Sequence, residues 1–146
     1  MSTRSKSTWS PLSAAIALAL AFSGAYSSIA FGADVKVVLS GDQENPAVMT
    51  SAKGSGTVMI GGDMSVKGGV TTSGITATAA HIHMAAAGKN GGVIVPMVKD
   101  GDNGWTFAPG AKLNDDQMKA FKAGELYVNV HSAANPGGEI RGQLNP

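Results

Sequence analysis

The segment L-Y-V-N-V-H, from Leu126 to His131, alternates apolar and polar residues without a break. A β-strand sends successive side chains to opposite faces, so Leu126 and every second residue after it predict a buried face. Tyr127, Asn129 and His131 then share the other, polar face. The same period of two recurs in short segments separated by glycine, which is typical of a β-sandwich or barrel.

Short strands are predicted along most of the chain after residue 32. Their expected ranges are 35–39, 56–60, 64–70, 77–84, 93–98, 105–107, 125–131 and 139–144. One helix is predicted between Asn114 and Gly124, because Asn114 and Gln117 have the spacing of a capping box and glycine ends helices. The pattern predicts an all-β fold, a Greek-key sandwich or barrel with one short helix.

The first part of the chain has the features of a secretory signal peptide. Arg4 and Lys6 give it a positive start, and a short apolar run, 12–22, is followed by small residues. That run is shorter than the ~20 residues that span a bilayer. We therefore expect export to the periplasm or beyond, and no membrane span once the signal is removed.

The signal peptide is expected to cover residues 1–32, which leaves a single domain over 33–146. Cleavage after Ala30 or after Gly32 fits the small-residue pattern equally well. A mature chain of this length is enough for one small hydrophobic core.

Charge and cysteine content exclude several classes of function. Without Arg4 and Lys6, nine basic side chains remain against ten acidic ones, a net charge of −1, and Arg141 is the only arginine left. A domain without a basic patch is a poor partner for nucleic acid. The chain has no cysteine, so disulfides, a thiol nucleophile and thiolate metal ligands are all excluded.

All three histidines of the chain lie in two of the predicted strands. In T-A-T-A-A-H-I-H-M, His81 and His83 are two residues apart and share a strand face. If this strand lies near the one that ends at His131, three imidazoles gather on the outside of the sheet. Such a cluster predicts a metal site, with copper favoured by the order of divalent affinities and zinc as the alternative. The competing interpretation is that His81 and His83 are surface residues on a solvated strand face and that His131 hydrogen-bonds to a loop.

Four polar residues near the histidines are candidates for supporting a metal site. Glu139 and Arg141 share a strand face and could orient a histidine, or the arginine could attract an anion. The favoured interpretation is a structural ion pair that fixes the last strand beside the strand of His131. Asn129 and Tyr127 lie on the same face as His131 and could hydrogen-bond to it.

Met84 is the residue that directly follows the first histidine pair. Its thioether is a candidate ligand for copper(I), which accepts soft sulfur donors. Strand alternation, however, places Met84 on the apolar face, which favours a role as core filler.

Several blocks of the sequence resemble the CHRD (chordin) domain family. They are L-S-G-D-Q-E-N-P-A-V at 39–48, T-A-A-H-I-H at 78–83, G-G-V-I-V-P at 91–96 and G-E-L-Y-V-N-V-H-S-A-A-N-P-G-G-E-I-R-G-Q-L at 124–144. The resemblance covers the chain from about Val35 to Leu144. It implies an all-β fold of an extracellular type, and it implies little about activity.

A second, motif-level resemblance concerns the histidines alone. H-x-H on a strand with a distant third histidine is similar to the copper ligand pattern of copper/zinc superoxide dismutases, which are Greek-key sandwiches. Those enzymes use four copper-binding histidines, a zinc site and a disulfide, none of which this sequence reproduces in full.

Two functions from different classes follow from the sequence. The first is an exported metal-binding protein that binds or buffers copper, or carries out redox chemistry such as superoxide dismutation, at the cell envelope. The second is a non-catalytic extracellular interaction or adhesion module in which the histidines are incidental. A homodimer that shares the metal is a variant of the first, because three ligands leave one coordination position open.

Overall fold

The computed structural model describes residues 32–146, so the predicted signal peptide lies outside the described residues apart from its last position. Eight antiparallel strands form a closed barrel. Their bounds are β1 Ala33–Ser40, β2 Lys53–Ile60, β3 Val66–Ser73, β4 Ala77–Met84, β5 Gly92–Asp100, β6 Gly104–Phe107, β7 Leu126–Ser132 and β8 Ile140–Leu144. One α-helix, α1 (Asp115–Lys122), precedes β7, and a single turn of 3-10 helix, Gly41–Gln43, follows β1. The predicted all-β barrel with one short helix is confirmed.

The order of strands around the barrel is β1-β2-β3-β6-β5-β4-β7-β8. β3 pairs with β6 and β4 pairs with β7, so both contacts join strands that are not consecutive in the chain. β8 returns to β1 through the pair Ser40 and Arg141 and closes the barrel. This topology places the strand of His81 and His83 directly beside the strand of His131.

The inside of the barrel is filled by the apolar residues of the alternating patterns. In β1, Val35, Val37 and Leu39 are buried while the residues between them are exposed. β7 contributes Leu126, Val128 and Val130, all fully buried. Burial of such side chains contributes about 1.5–3 kcal/mol each, which lets the domain fold without disulfides.

The turn between β2 and β3 differs from the sequence-based expectation. Met64 was expected to begin the third strand, but its φ of 68° places it in the left-handed region, inside the turn that begins at Gly61. The strand therefore begins at Val66. Strand alternation cannot reveal this change, because a methionine in the turn has the same apolar character as one in the strand.

The helix α1 is capped at both ends as its sequence predicts. The Asn114 side chain accepts a hydrogen bond from the Gln117 amide at 2.8 Å, and the Gln117 side chain accepts one from the Asn114 amide at 2.9 Å. Gly124, with a φ of 73°, follows the last turn. Within residues 32–146, no helix combines the length and the apolar character needed to cross a bilayer.

Replacing Asn114 by alanine is expected to lower the free energy of unfolding by about 1 kcal/mol, because the Gln117 amide loses its acceptor. The change is measured by urea unfolding of wild type and variant. Asp102→Asn, in an exposed turn, is the matched control and should stay within about 0.5 kcal/mol of wild type. Equal stability of the Asn114 variant and wild type would contradict a stabilising role for the capping box.

Candidate metal centre

The three histidines converge on one spot of the barrel wall. One potential ligand nitrogen from each of His81, His83 and His131 lies within 4.8 Å of the other two. The shortest separation, 3.1 Å, joins Nδ1 of His81 to Nε2 of His131. The three imidazoles therefore gather as the strand pattern predicts. Their role as metal ligands stays a prediction.

The pairing of β4 with β7 explains how residues fifty positions apart meet. His131 lies directly across from Ala79, and His81 lies across from Asn129. Alanine leaves room beside the imidazole of His131, and diagonal neighbours on paired strands are within reach of long side chains. The ring of His131 therefore meets the ring of His81, with 4.9 Å between their centroids.

A backbone carbonyl fixes the proton of His83. Its Nδ1 lies 2.9 Å from the carbonyl oxygen of Gly91, which can only accept, so Nδ1 carries the hydrogen. Nε2 of the neutral ring then has a free lone pair. This nitrogen is buried and has no hydrogen-bond partner among the described residues. A buried nitrogen lone pair without a partner is costly to a folded protein and is the state that a metal ligand requires.

His131 is oriented in the same way. Its Nδ1 donates to the carbonyl oxygen of Pro136 at 3.0 Å, which leaves Nε2 as the acceptor facing His81. In the metal-free protein, the His81 ring therefore donates from Nδ1 to His131. If Nδ1 of His81 and Nε2 of His131 were to hold one ion, His81 would carry its proton on Nε2 instead, a change of tautomer with no change of net charge.

The spacing of the three nitrogens suits a small transition-metal ion. Two imidazole nitrogens that bind one ion at about 2.0–2.1 Å are at most about 4.2 Å apart. The pair formed by His81 and His131, at 3.1 Å, satisfies this limit, and no pair of the three nitrogens is more than 4.8 Å apart. The cluster could therefore hold a metal ion.

The surroundings favour the neutral form of two of the rings. Burial lowers the pKa of His81, and the neighbouring His131 and His83 lower it further. Burial also lowers the pKa of His83, although the hydrogen bond to Gly91 acts in the opposite direction. Neutral imidazole is the form that binds metals, so the burial of these two rings favours the form that could bind a metal ion.

The polar face of β7 is not the solvated surface that its sequence pattern suggests. Every residue of the strand is buried, and Tyr127 and Asn129 are each only 1% exposed. Loops cover this face from both sides, because Gly91 and Pro136 reach the histidines from two different loops. The glycine-rich segments after the two histidine strands therefore fold over the cluster.

The candidate supporting residues do not hydrogen-bond to the imidazoles. Tyr127 stacks on the ring of His83, with 5.1 Å between centroids and 14° between planes. Its hydroxyl accepts a hydrogen bond from the Gly91 amide at 3.1 Å. The side chain of Asn129 donates to Gly137 at 3.4 Å. Both residues thus contact the loops that orient the histidines.

The predicted ion pair between Glu139 and Arg141 is wrong. Nε of Arg141 donates to Glu44 at 2.9 Å, and both side chains are almost fully buried. Burial raises the pKa of Glu44, and the attraction of the arginine partly offsets that increase. Arg141 is 2% exposed, so it is not free to attract an anion from solvent.

Glu139 has a separate structural role. Its carboxylate accepts hydrogen bonds from the hydroxyls of Ser132 and Thr50, and these bonds lower its pKa. Glu139 therefore links the end of β7 to the segment before β2. Alternation along the last strand could not show that Arg141 pairs with Glu44 and not with Glu139, because Glu44 lies 97 positions away in the sequence.

Met84 is not core filler, contrary to the expectation from alternation. Its side chain is 40% exposed. Met84 is the last residue of β4, and the register between β4 and β5 shifts just before it, between Ile82 and His83. The regular alternation of buried and exposed side chains therefore does not extend to this position.

Three groups in the surroundings of the histidines are not indicated by the sequence. The carbonyls of Gly91 and Pro136 belong to loops, where no periodic pattern marks them. Glu44 lies in a turn-rich segment that suggested no specific contact. Its pairing could have been suspected, because a single arginine in a small domain calls for a carboxylate partner once it is buried.

The fold and the site together define the class: this is an eight-stranded antiparallel barrel that brings three histidines together from two adjacent strands. The family model of the CHRD domain matches residues 35–144, which is most of the chain and includes every residue of the cluster. The chain therefore belongs to the CHRD domain family. Comparison with curated proteins and with solved structures gives no match.

Proposed function

We propose that this chain is an exported copper-binding protein whose ligands are His81, His83 and His131. The observation that carries the proposal is the state of His83. Its Nδ1 donates to the Gly91 carbonyl, its Nε2 is buried and has no hydrogen-bond partner among residues 32–146, and its ring offers a nitrogen within 4.8 Å of one from each of the other two histidines. A protein seldom leaves such a nitrogen unsatisfied, and a bound ion would satisfy it.

The chemistry of the donors favours copper over other metals. The cluster consists of imidazoles alone, and the chain has no cysteine to supply thiolates. Imidazole suits copper and zinc, and copper binds more tightly in the order of divalent affinities. Zinc is the alternative, and hard ions such as calcium are disfavoured because they prefer oxygen ligands.

Binding and buffering of copper at the cell envelope is the role that the site supports best. A superoxide dismutase-like activity has less support, because Arg141, which would attract an anion, is buried and each of its three nitrogens already donates a hydrogen bond, to Glu44, Lys89 or Asn90. Three ligands nevertheless leave a coordination position open, which permits redox chemistry or reversible transfer of the ion.

Titration of the purified protein with copper tests the proposal. Binding with a Kd in the micromolar range or tighter is expected. At copper concentrations a hundredfold above Kd the folded state gains about 2.7 kcal/mol, which raises Tm by about 10 °C. Calcium at the same concentration is the control and should leave Tm unchanged. Absence of both binding and stabilisation would contradict a copper-binding role.

A second candidate, a non-catalytic interaction module, is supported by the outer surface of β5. Val93 and Val98 are 53% and 44% exposed there, and Pro96 between them is exposed as well. Exposed apolar side chains grouped on one strand are typical of contact surfaces. This function predicts a Tm that copper does not change, so the titration separates the two candidates.

A further inference from the structure

The loop of residues 85–91, between β4 and β5, determines the ring orientation and the tautomer of His83. It ends at Gly91, whose carbonyl accepts the hydrogen of His83 Nδ1 at 2.9 Å. If this loop moved away, the ring would lose the one hydrogen-bond partner that it has within residues 32–146 and could rotate or change tautomer. The position of the 85–91 loop is therefore part of the geometry of the cluster.

Arg141 holds this loop at two points. Its Nη1 donates to the Lys89 carbonyl at 2.8 Å, and its Nη2 donates to the Asn90 side chain at 2.5 Å. The third donor, Nε, is bound to the buried carboxylate of Glu44. The planar guanidinium thus connects β8, the segment after β1 and the 85–91 loop in one rigid fork.

Tyr127 forms a second link between Arg141 and His83. The guanidinium lies over the tyrosine ring, 4.3 Å from its centroid. The imidazole of His83 stacks on the same ring, and the tyrosine hydroxyl accepts the amide hydrogen of Gly91. Arg141 is therefore connected to His83 by two sets of contacts, one through the 85–91 loop and one through the ring of Tyr127.

We propose that Arg141 is a positioning residue for the metal site: it fixes the 85–91 loop so that Gly91 holds His83 with its hydrogen on Nδ1 and its Nε2 lone pair in the cluster. The inference rests on the proposed function for its link to copper. The effect on His83 itself is independent of any metal.

Lysine cannot replace arginine in this arrangement. A lysine ammonium is a compact charge on a flexible stem, whereas three acceptors of Arg141 lie around one planar fork. Arg141→Lys keeps the positive charge opposite Glu44 and loses the simultaneous contacts to the loop. The substitution therefore separates positioning from simple charge compensation.

The test uses two measurements on the full chain. In the metal-free protein, ¹⁵N spectra of the histidines report which ring nitrogen of His83 carries the hydrogen. Wild type should show the Nδ1–H form, and Arg141→Lys should show a substantial population of the Nε2–H form. Copper affinity should fall by about 10- to 100-fold, the usual effect of losing a group that orients a ligand.

Two further variants keep the test decisive if Arg141→Lys folds poorly. Asn90→Ala, at an exposed position, removes one of the loop acceptors and should produce the same changes at smaller amplitude. Val70→Ala in the core of β3 is the matched control, since it lowers stability without touching the loop. It should leave the His83 tautomer and the copper affinity unchanged.

The two measurements distinguish failure of this inference from failure of the proposed function. If Arg141→Lys and Asn90→Ala both retain the Nδ1–H form of His83, the positioning role is overturned, whatever the copper affinity. If the tautomer shifts while wild type binds no copper, the positioning of His83 stands and the copper-binding role is rejected.

Discussion

Replacement of His83 by alanine is expected to weaken copper binding by more than about a hundredfold. Loss of a residue that only orients a ligand already costs about 10- to 100-fold, so loss of the ligand itself should cost more. His83 is the most informative of the three, because its Nε2 is buried and has no hydrogen-bond partner in the part of the chain that the structure describes. The measurement is a competition titration against a chelator of known affinity.

Three comparisons make this prediction specific. His131→Ala should behave like His83→Ala, and His81→Ala should weaken binding as well, because all three nitrogens belong to one cluster. Asp102→Asn removes an exposed carboxylate outside the cluster and should bind like wild type. Circular dichroism of each metal-free variant checks that the barrel persists. Affinities that are equal in wild type and all three histidine variants would exclude the cluster as the copper site.

Replacement of Gly142 by alanine is expected to lower the free energy of unfolding by about 2–3 kcal/mol. Gly142 lies in β8, where the barrel closes against β1. A methyl group there would lie 2.4 Å from the Val38 carbonyl oxygen and 2.6 Å from a methyl carbon of Val37. A backbone carbonyl cannot move aside without disturbing its strand, so the two strands must separate locally.

Chemical unfolding and the thermal midpoint measure this effect, and Tm should fall by about 10 °C. The matched control is Gly92→Ala at the start of β5. An added methyl group at Gly92 has no neighbour within 4 Å, so its stability should stay within about 0.5 kcal/mol of wild type. If the two variants had similar free energies of unfolding, the close contact between β8 and β1 at Gly142 would not be important for the stability of the barrel.

The local elements of this fold could be predicted because their signals are short in range. The capping box of α1 depends on two residues three positions apart, and each strand shows its own alternation. Met64 and Met84 show the limit of such signals. Met64 lies in the turn before β3, with a left-handed backbone, and still packs against the core, whereas Met84 ends β4 with an exposed side chain, so in neither case does the apolar residue mark a regular core position of a strand.

The candidate site likewise has features that the sequence predicts and features that it does not. His81 and His83 had to share a face, because residues two apart in a strand always do. The contact with His131 depended on the pairing of β4 with β7, which the sequence suggests but does not define. The carbonyls that set the tautomers come from loops, and the partner of Arg141 is set by tertiary packing. Neither leaves a periodic trace in the sequence.

The adjacent strands β4 and β7 have a consequence for the proposed role as an exported copper-binding protein. Seven residue pairs join them, so the scaffold under the imidazoles is complete before any ion arrives. Many small zinc domains, by contrast, collapse when their metal is removed. A chain built in this way keeps its shape in metal-poor surroundings. It could therefore take up and release its cargo repeatedly without passing through an unfolded, protease-sensitive state.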